Sequence, residues 1–495
     1  DVYKRQMLSA IATGDLFEMP GGTAAGALGI ELRNDEIDSI PNEAARDGLL
    51  WGYFADRGAV GEKTTKEFFA ELELPLFAGN PGMEELTVNV SSRYTKDEFY
   101  SGHWTYSAKL AYRPIDSLLI RGTTGTSYRA PNLRENFMLG QTGFRTLYDP
   151  CVVPEGALTI GGYDPTLDDR EQHILDNCVA QGIDPTTLGQ ISANQSSTQY
   201  SVEVAGAGRQ NLNEEKSESW TAGFAFEQPW FESFDMTIGA TYYDIEINDE
   251  IIRLHSQYSI NDCYNDLEGD SAFCGNIMRE DLGGGAMGLM VFTDEAFINQ
   301  DAKKTRGIDW NLSVDIPTQA FGRALDIGMD IVANRKLEFT EIFVDPFSGI
   351  VDEEEYTGEF GFPEWTAHGQ VRFDMGKWRL TWSSRYIDGV EQDPLGIDAP
   401  GNVVDGTADT CLGPTEGDVN CRDVGYADHY FRHDMSLFWR GDVWTFGAGV
   451  RNLQGTPPPQ VDSEEVSYVY NNTVMGRGYD IMGRTYYVNI AAAFQ

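Results

Sequence analysis

Hydrophobic and polar residues alternate one by one along much of this chain. Between Trp104 and Arg113, the side chains of Trp104, Tyr106, Ala108, Leu110 and Tyr112 fall on one side of an extended backbone. Thr105, Ser107, Lys109 and Arg113 fall on the other. A period of two marks a strand with one apolar and one polar face. The same pattern recurs at Ala70–Leu76, Leu86–Tyr94, Trp220–Phe226, Phe234–Ala240, Ile308–Ile316, Trp378–Ser383, Trp444–Val450 and Tyr486–Phe494. A further strand is expected over Ala24–Ile37. Counted through, the pattern predicts an all-β chain of roughly 14–16 strands, with ends uncertain by a few residues.

The connections alternate in length. Short ones fall at Asn80–Glu84, Pro114–Asp116, Pro229–Ser233, Pro317–Arg323, Gly376 and Gly441–Asp442. Long ones span Phe137–Asn211, Arg253–Met290, Glu341–Gly361, Asp388–Tyr430 and Gln454–Gly483. Strict alternation puts every long connection at one end of an antiparallel sheet. Transmembrane barrels of outer membranes have this asymmetry, with short periplasmic turns and long external loops. A sandwich has no reason to keep it.

Composition fits such a wall. There are 26 Phe, 23 Tyr and 10 Trp, enough for rings at two membrane interfaces, and 53 Gly, which suits a sheet that must curve. No run of 18 apolar residues occurs, so no membrane-crossing helix is expected. The mean hydropathy of −0.36 does not argue against a barrel, whose strands are only half apolar. The net charge is −42, from 78 acidic against 36 basic residues. That field repels nucleic acid and removes it as a partner. Acidic residues crowd Asp164–Glu171, Asp345–Glu355 and Asp405–Asp423, an acidic solvated surface whose spacing defines no calcium loop.

All six cysteines lie in long connections, as Cys151 with Cys178, Cys263 with Cys274, and Cys411 with Cys421. Local pairing within each loop is the simplest of the possible disulfide arrangements and implies an oxidising compartment. No Cys-x-x-Cys occurs, and no histidine flanks a cysteine at zinc-like spacing. No nucleophile elbow, phosphate loop or His-Glu-x-x-His is present, so no enzyme and no cofactor is expected. His429 and His433, four apart on an expected strand, do not form a helical zinc pair.

Two segments carry more than pattern. Tyr128-Arg129-Ala130-Pro131-Asn132-Leu133-Arg134-Glu135 ends one strand, since Pro131 has no N–H for the ladder. After a long connection, Asn211-Leu212-Asn213-Glu214-Glu215-Lys216-Ser217 opens the next. In this order and context the pair resembles the TonB-dependent receptors of bacterial outer membranes. Asn452-Leu453 followed by prolines, and the final strand ending in Phe494, resemble the same family; Gln454 stands where an aromatic is usual, and Gln495 follows Phe494.

The resemblance implies a barrel of about 22 strands around a plugged lumen, of which this chain carries part. It implies active uptake of a bulky, scarce nutrient such as an iron–siderophore complex, driven through TonB. The implied partners are outer-membrane lipid, TonB through an N-terminal region not in this sequence, and a small-molecule or chelate substrate. The implied location is the outer membrane of a Gram-negative bacterium. The substrate is not written in these residues. Without a plug and TonB box the piece is expected not to transport. Residues 1–6 read as a translated sequencing adapter, leaving 7–495 as a partial barrel domain.

The Arg129 guanidinium has two readings: it satisfies carboxylates in a polar lumen, or it meets a plug or an anionic substrate. Glu214, Lys216 and Glu218 alternate onto one strand face and are expected to line the lumen with it. Tyr148, Tyr258 and Phe273 are loop aromatics, able to bind ligand or to pack the loops. Two rival functions are a passive or substrate-specific porin and a secreted β-rich binding protein.

Overall fold

The computed structural model describes the chain except for residues 1, 52–53, 193, 268, 270, 345–350, 360, 392–425, 460–468, 471–472, 475–477 and 494–495. Fifteen long strands form the path of one sheet: β1 (Val2–Met19), β2 (Gly22–Ser39), β3 (Ala59–Asn80), β4 (Met83–Asp97), β5 (Gly102–Ile115), β6 (Leu118–Arg129), β7 (Glu215–Glu227), β8 (Asp235–Arg253), β9 (Phe297–Ala320), β10 (Arg323–Val344), β11 (Trp365–Met375), β12 (Trp378–Ile387), β13 (Tyr430–Arg440), β14 (Trp444–Arg451) and β15 (Thr485–Ala492). Neighbours in the chain are neighbours in the sheet, and each of these pairs is antiparallel. A sixteenth strand, Val351–Glu355, pairs with the outer part of β10. The path ends at β1 and β15, and among the described residues no ladder joins them.

Register sorts the side chains into two faces. Ile316, Ile327, Phe373, Leu380, Leu437, Ala448 and Val488 are successive partners across seven strands. Two residues along, Val314, Met329, Val371, Trp382, Met435, Val450 and Tyr486 form a second apolar row. Between them runs Asp315, Gly328, Arg372, Thr381, Ser436, Gly449 and Tyr487 on the opposite face. The apolar face leaves Trp104, Trp220, Trp382, Leu437 and Val488 exposed. In water such a band would expose far more apolar area than a stable monomer carries. In hydrocarbon it costs nothing. Trp104 and Tyr112 on β5, and Trp378 and Tyr386 on β12, lie eight residues apart. That is about 27 Å along a strand, or about 20 Å across a membrane for strands tilted by about 40°, near the height of a barrel's apolar band.

The short turns lie at one end. β3 and β4 meet at Pro81-Gly82, and β9 and β10 at Phe321-Gly322, where Phe321 takes φ 53°. Pro317, expected to open that turn, instead stays in the ladder opposite Asp326. β1 was not expected from its composition. Ala10, Ala12 and Gly14 occupy the positions opposite Ile30, Leu28 and Gly26, so small residues hide its alternation. Val2–Gln6 continue that strand, and Tyr3 and Arg5 donate to Asp35 at 3.1 and 2.6 Å.

The opposite end carries a folded crown where the pattern indicated irregular chain. Strands Gln141–Tyr148, Gln199–Gly206, Ala286–Asp294 and Ile277–Gly283 form a small sheet. Gln199–Gly206 pairs antiparallel with Gln141–Tyr148 and parallel with Ala286–Asp294. Helices Gln172–Ala180 and Ser256–Asn265 pack with it. Leu147, Ile183, Val202, Val204, Ile260 and Met290 make its core. Disulfides Cys151–Cys178 and Cys263–Cys274 close it. Cys411 and Cys421 lie outside the described residues.

Candidate functional site

At the rim, the two sequence segments lock together. β6 pairs with β7 from Leu118–Phe226 up to Arg129–Glu215. Arg129 there spans two carboxylates. Its Nε and Nη2 donate to Glu215, and its Nη1 donates to Glu135 at 2.9 and 3.1 Å. Glu215 also accepts the Ile251 N–H at 2.8 Å. Pro131 releases the chain from the ladder, and Asn132 caps a short helix, Leu133–Phe137. The Asn132 side chain accepts from the Arg134 and Glu135 N–H groups, and Glu135 reaches back to the Asn132 N–H at 2.6 Å, a reciprocal capping box. Lys63 donates to the Pro131 carbonyl at 2.7 Å and pairs with Asp97 at 3.0 Å. Leu133 is buried against Ile37, Ala59 and Phe137, and Leu212 is buried as well. Ser127 and Ser217 share a hydrogen bond of 2.6 Å.

The expected lumen set needs correction. Lys216 and Glu218 share the face of Trp220 and Phe224, because register puts Arg129 opposite Glu215 and thereby turns the even-numbered residues outward. They lie above the apolar belt, where the outer face turns polar. Glu214 precedes the strand and turns to Ser101 Oγ at 2.9 Å and His103 Nε2 at 3.1 Å. Ser101 Oγ lies 3.0 Å from the same His103 nitrogen. Serine, histidine and a carboxylate meet here, but both partners use Nε2, so the imidazole cannot relay a proton between them. Tyr128 stacks on His103 at 4.6 Å. Tyr100, whose hydroxyl donates to Asn136 at 2.5 Å, is pushed up to about 12 by burial.

Asn452 is fully buried at φ 49°. Its amide and carbonyl close a ring with Thr456 at 2.8 Å each way, and Asp434 accepts its N–H. The Leu453 N–H donates to the His433 carbonyl. Ala130 bridges Arg129 and Pro131 just beyond the ladder, Asn211 lies in the exposed approach to β7, and Phe494 lies outside the described residues.

The crown is held by two buried polar hubs. Asp149, fully buried, accepts Arg279 Nη1 and Nη2 at 2.8 and 2.7 Å, the Tyr200 hydroxyl at 2.6 Å and the Cys151 N–H at 3.0 Å. Arg279 Nε donates to the Tyr264 hydroxyl at 2.9 Å. Burial and the neighbouring Asp149 push the Tyr200 phenol well above its ordinary value. Glu295 accepts Arg145 Nε at 2.5 Å and Ser256 Oγ at 2.8 Å, while Arg253 at the end of β8 donates to its carbonyl at 3.1 Å. Burial favours a protonated Glu295, but Arg145 and Ser256 outweigh it and hold the carboxyl below its usual range. This hub ties the crown to the wall. Sequence reading found none of these residues. They obey no period, and of the hub side chains only Tyr264 falls between paired cysteines.

Tyr258, Phe273 and Phe343 meet edge to face, at 5.7 and 4.9 Å from Tyr258, where the crown touches β10. Beside them a cavity of about 400 Å³ is lined by Arg209, Asn213, Asp249, Phe273, Asn299 and Phe343. Tyr148 is instead built into the crown: its N–H donates to the Gln257 side-chain oxygen at 2.8 Å, and the Gln257 amide nitrogen donates to its carbonyl at 3.0 Å. Among the described residues no group of histidine, cysteine and carboxylate side chains could hold a metal ion. The site is therefore a crowned, polar-lined wall with aromatic groups and Arg209 at its mouth.

The comparisons agree with that geometry. The profile described as "TonB dependent receptor-like, beta-barrel" matches residues 6–453. No curated protein matches. Among solved structures the chain is similar to a single-substitution form of the ferric enterobactin receptor PfeA of Pseudomonas aeruginosa in complex with enterobactin, at 14% identity and TM-score 0.55, covering 99% of this chain and 55% of that one. It is similar to the siderophore receptor PirA of Acinetobacter baumannii, at 13% identity and TM-score 0.51, with 99% and 55% covered. It is also similar to the Serratia marcescens hemophore receptor HasR in complex with its hemophore HasA and heme, at 13% and 0.53, with 99% and 59% covered. The chain thus spans little more than half the length of these structures, and the likeness concerns the fold. With the profile covering most of its length, the chain belongs to the TonB-dependent receptors, as a stretch of their β-barrel domain.

Proposed function

We propose that the whole protein sits in the outer membrane of a Gram-negative bacterium and actively imports a bulky nutrient, with an iron–siderophore complex or heme as the leading substrate class. The observation that carries this is the family membership over residues 6–453, joined to a wall with one lipid-compatible and one polar face. The similar structures named for enterobactin, siderophore and heme support the substrate class. TonB would act through a segment upstream of these residues, and the membrane lipid would cover the apolar face. Transport is the activity this reading assigns, and the described residues offer a mouth and a wall for it. The test is uptake of radiolabelled ferric enterobactin and of heme by cells expressing the full reading frame, with and without TonB. Accumulation that needs TonB supports the proposal. Equal uptake without TonB would favour a passive pore, and recovery in the soluble fraction a secreted binder.

A further inference from the structure

We propose that Phe339, Tyr356 and Phe362 form an aromatic cage for a quaternary ammonium ion, in a place that the Lys336 ammonium occupies when no ligand is bound. The cage starts from a bulge. On a regular strand, residues 336 and 339 would face opposite sides. β10 pairs Glu338 with Arg306 and Lys336 with Gly307, which leaves Leu337 as an extra residue. That extra residue turns Lys336 and Phe339 to the same side, the one opposite the apolar band. The strand Val351–Glu355 then runs back along β10, and the chain after it is pinned to the bulge. The Tyr356 N–H donates to the Phe339 carbonyl at 2.9 Å, and the Lys336 N–H donates to the Glu364 carbonyl at 2.8 Å. Between these two bonds the rings gather. Phe362 stacks on Phe339 at 4.5 Å, and Tyr356 lies 5.4 Å from Phe362 and 6.2 Å from Phe339.

The Lys336 Nζ lies 4.5 Å from the Phe339 ring centre and 5.6 Å from that of Phe362. With 78 acidic residues against 36 basic ones, a lysine on this chain finds a carboxylate easily. Lys303, 5.5 Å from the same Phe339 ring, has Glu250 at 2.9 Å and Glu341 at 2.8 Å. Among the described residues the Lys336 ammonium has neither an ion pair nor a hydrogen bond. The carboxylates beside it are engaged. Glu338 pairs with Arg306, and Glu355 accepts the Thr340 hydroxyl at 2.7 Å and the Phe339 and Thr357 N–H groups at 3.0 Å each. Ring faces are thus what this cation meets, and ring faces select cations. A lysine ammonium is a poor tenant, because it is strongly hydrated and its N–H groups go unsatisfied among rings. A quaternary ammonium has no N–H and can touch several rings with its methyl groups. Lys336 hangs on a flexible four-carbon stem and can swing out to water while the backbone stays in place. Glu354, which accepts the Tyr356 hydroxyl, and the charges of Glu341 and Glu359 surround Tyr356 with a negative field. That field draws cations to the cage and turns anions away.

The cage stands apart from the import reading, since binding needs neither TonB nor transport. It is tested by calorimetric titration of the purified full-length protein, in a maltoside detergent at constant ionic strength, with tetramethylammonium and with choline. The uncharged carbon isostere of choline is the control. Both cations should bind wild type, and Lys336→Met should bind them about tenfold more tightly, because the competing ammonium is gone. Adding Phe362→Leu to that variant should abolish the gain. Lys377→Met, which removes a different lysine from over the Trp439 ring at 5.9 Å, should leave wild-type binding unchanged. A second measurement needs no variant: tetramethylammonium should displace Lys336 and speed acetylation of its amine, read by mass spectrometry, while Lys377 reacts at an unchanged rate. Absence of binding of both cations to wild type and to Lys336→Met overturns the cage. So does equal binding of the uncharged isostere, or a Lys336 acetylation rate that tetramethylammonium does not raise.

Discussion

Removing Asp149 should unfold the crown and leave the wall standing. Asp149 is fully buried and Arg279 nearly so, with two hydrogen bonds between them at 2.7 and 2.8 Å. Asp149→Ala would leave the buried guanidinium without its counter-charge, facing the neutral Tyr264 hydroxyl and Gly288 carbonyl, and would also release the Tyr200 hydroxyl. Breaking a buried pair from one side costs about 3–5 kcal/mol, a rise of roughly two to four decades in the open population at about 1.4 kcal/mol per decade. Hydrogen exchange of the full-length protein in lipid vesicles reads this locally. Amides of Val202, Val204 and Met290 should exchange faster by that factor, while those of β9 to β14 keep wild-type protection. The double variant D149L/R279M removes both charges and should recover most of the loss, because no lone charge stays buried. Wild-type exchange in D149A, or loss of protection in crown and wall together, would refute the claim of a separately stabilised crown.

Four further outcomes follow from the same contacts. Leu437→Lys, in the middle of an apolar row, should cost about 2–4 kcal/mol in urea unfolding from lipid vesicles, whereas Ser436→Lys, one residue along on the polar face, should cost under about 1 kcal/mol; equal costs would mean that lipid does not touch the Leu437 face. Arg129→Met should leave Glu135 and Glu215 repelling each other at the rim, lowering stability by about 1–3 kcal/mol and shifting the heat-modifiability transition of the barrel downward; an unchanged transition would reject the joint. Reduction of Cys263–Cys274, which closes an 11-residue separation, should cost about 3 kcal/mol on loop entropy, seen as faster proteolysis of the crown. Acid should loosen the crown before the wall. The Asp168 carboxyl is held low chiefly by Arg170, and Glu295 is held low against its burial by Arg145 and Ser256. Both have folded values below their unfolded ones, so their stabilisation is complete above about pH 4.5 and is lost as pH falls through the folded values; crown protection that does not fall between pH 5 and pH 3 would contradict this.

The wall was legible because the membrane forces a period of two on it, and large residues such as Trp104, Leu110 and Tyr112 print that period clearly. The signal fades where its cause fades. β1 uses alanine and glycine on the outward side, so its period does not show. Above the belt the outer face meets water, and polar Lys216 and Glu218 look like lumen residues although they point away from it. The rim joint was visible as a string of residues but not as a contact. Glu135 and Glu215 lie 80 positions apart, and only the pairing of β6 with β7 sets them around one guanidinium. The crown was invisible for the same reason. Asp149 and Arg279 come from different connections, and no local pattern records a contact that only folding creates.

The parallel ladder between Gln199–Gly206 and Ala286–Asp294 stitches together the excursion after β6 and the one after β8. Neither can be exchanged alone. Anyone grafting the mouth of another receptor onto this scaffold must transplant both excursions as one cassette, with their shared strand order intact. A single-loop chimera would arrive with an unpaired edge and half an interior.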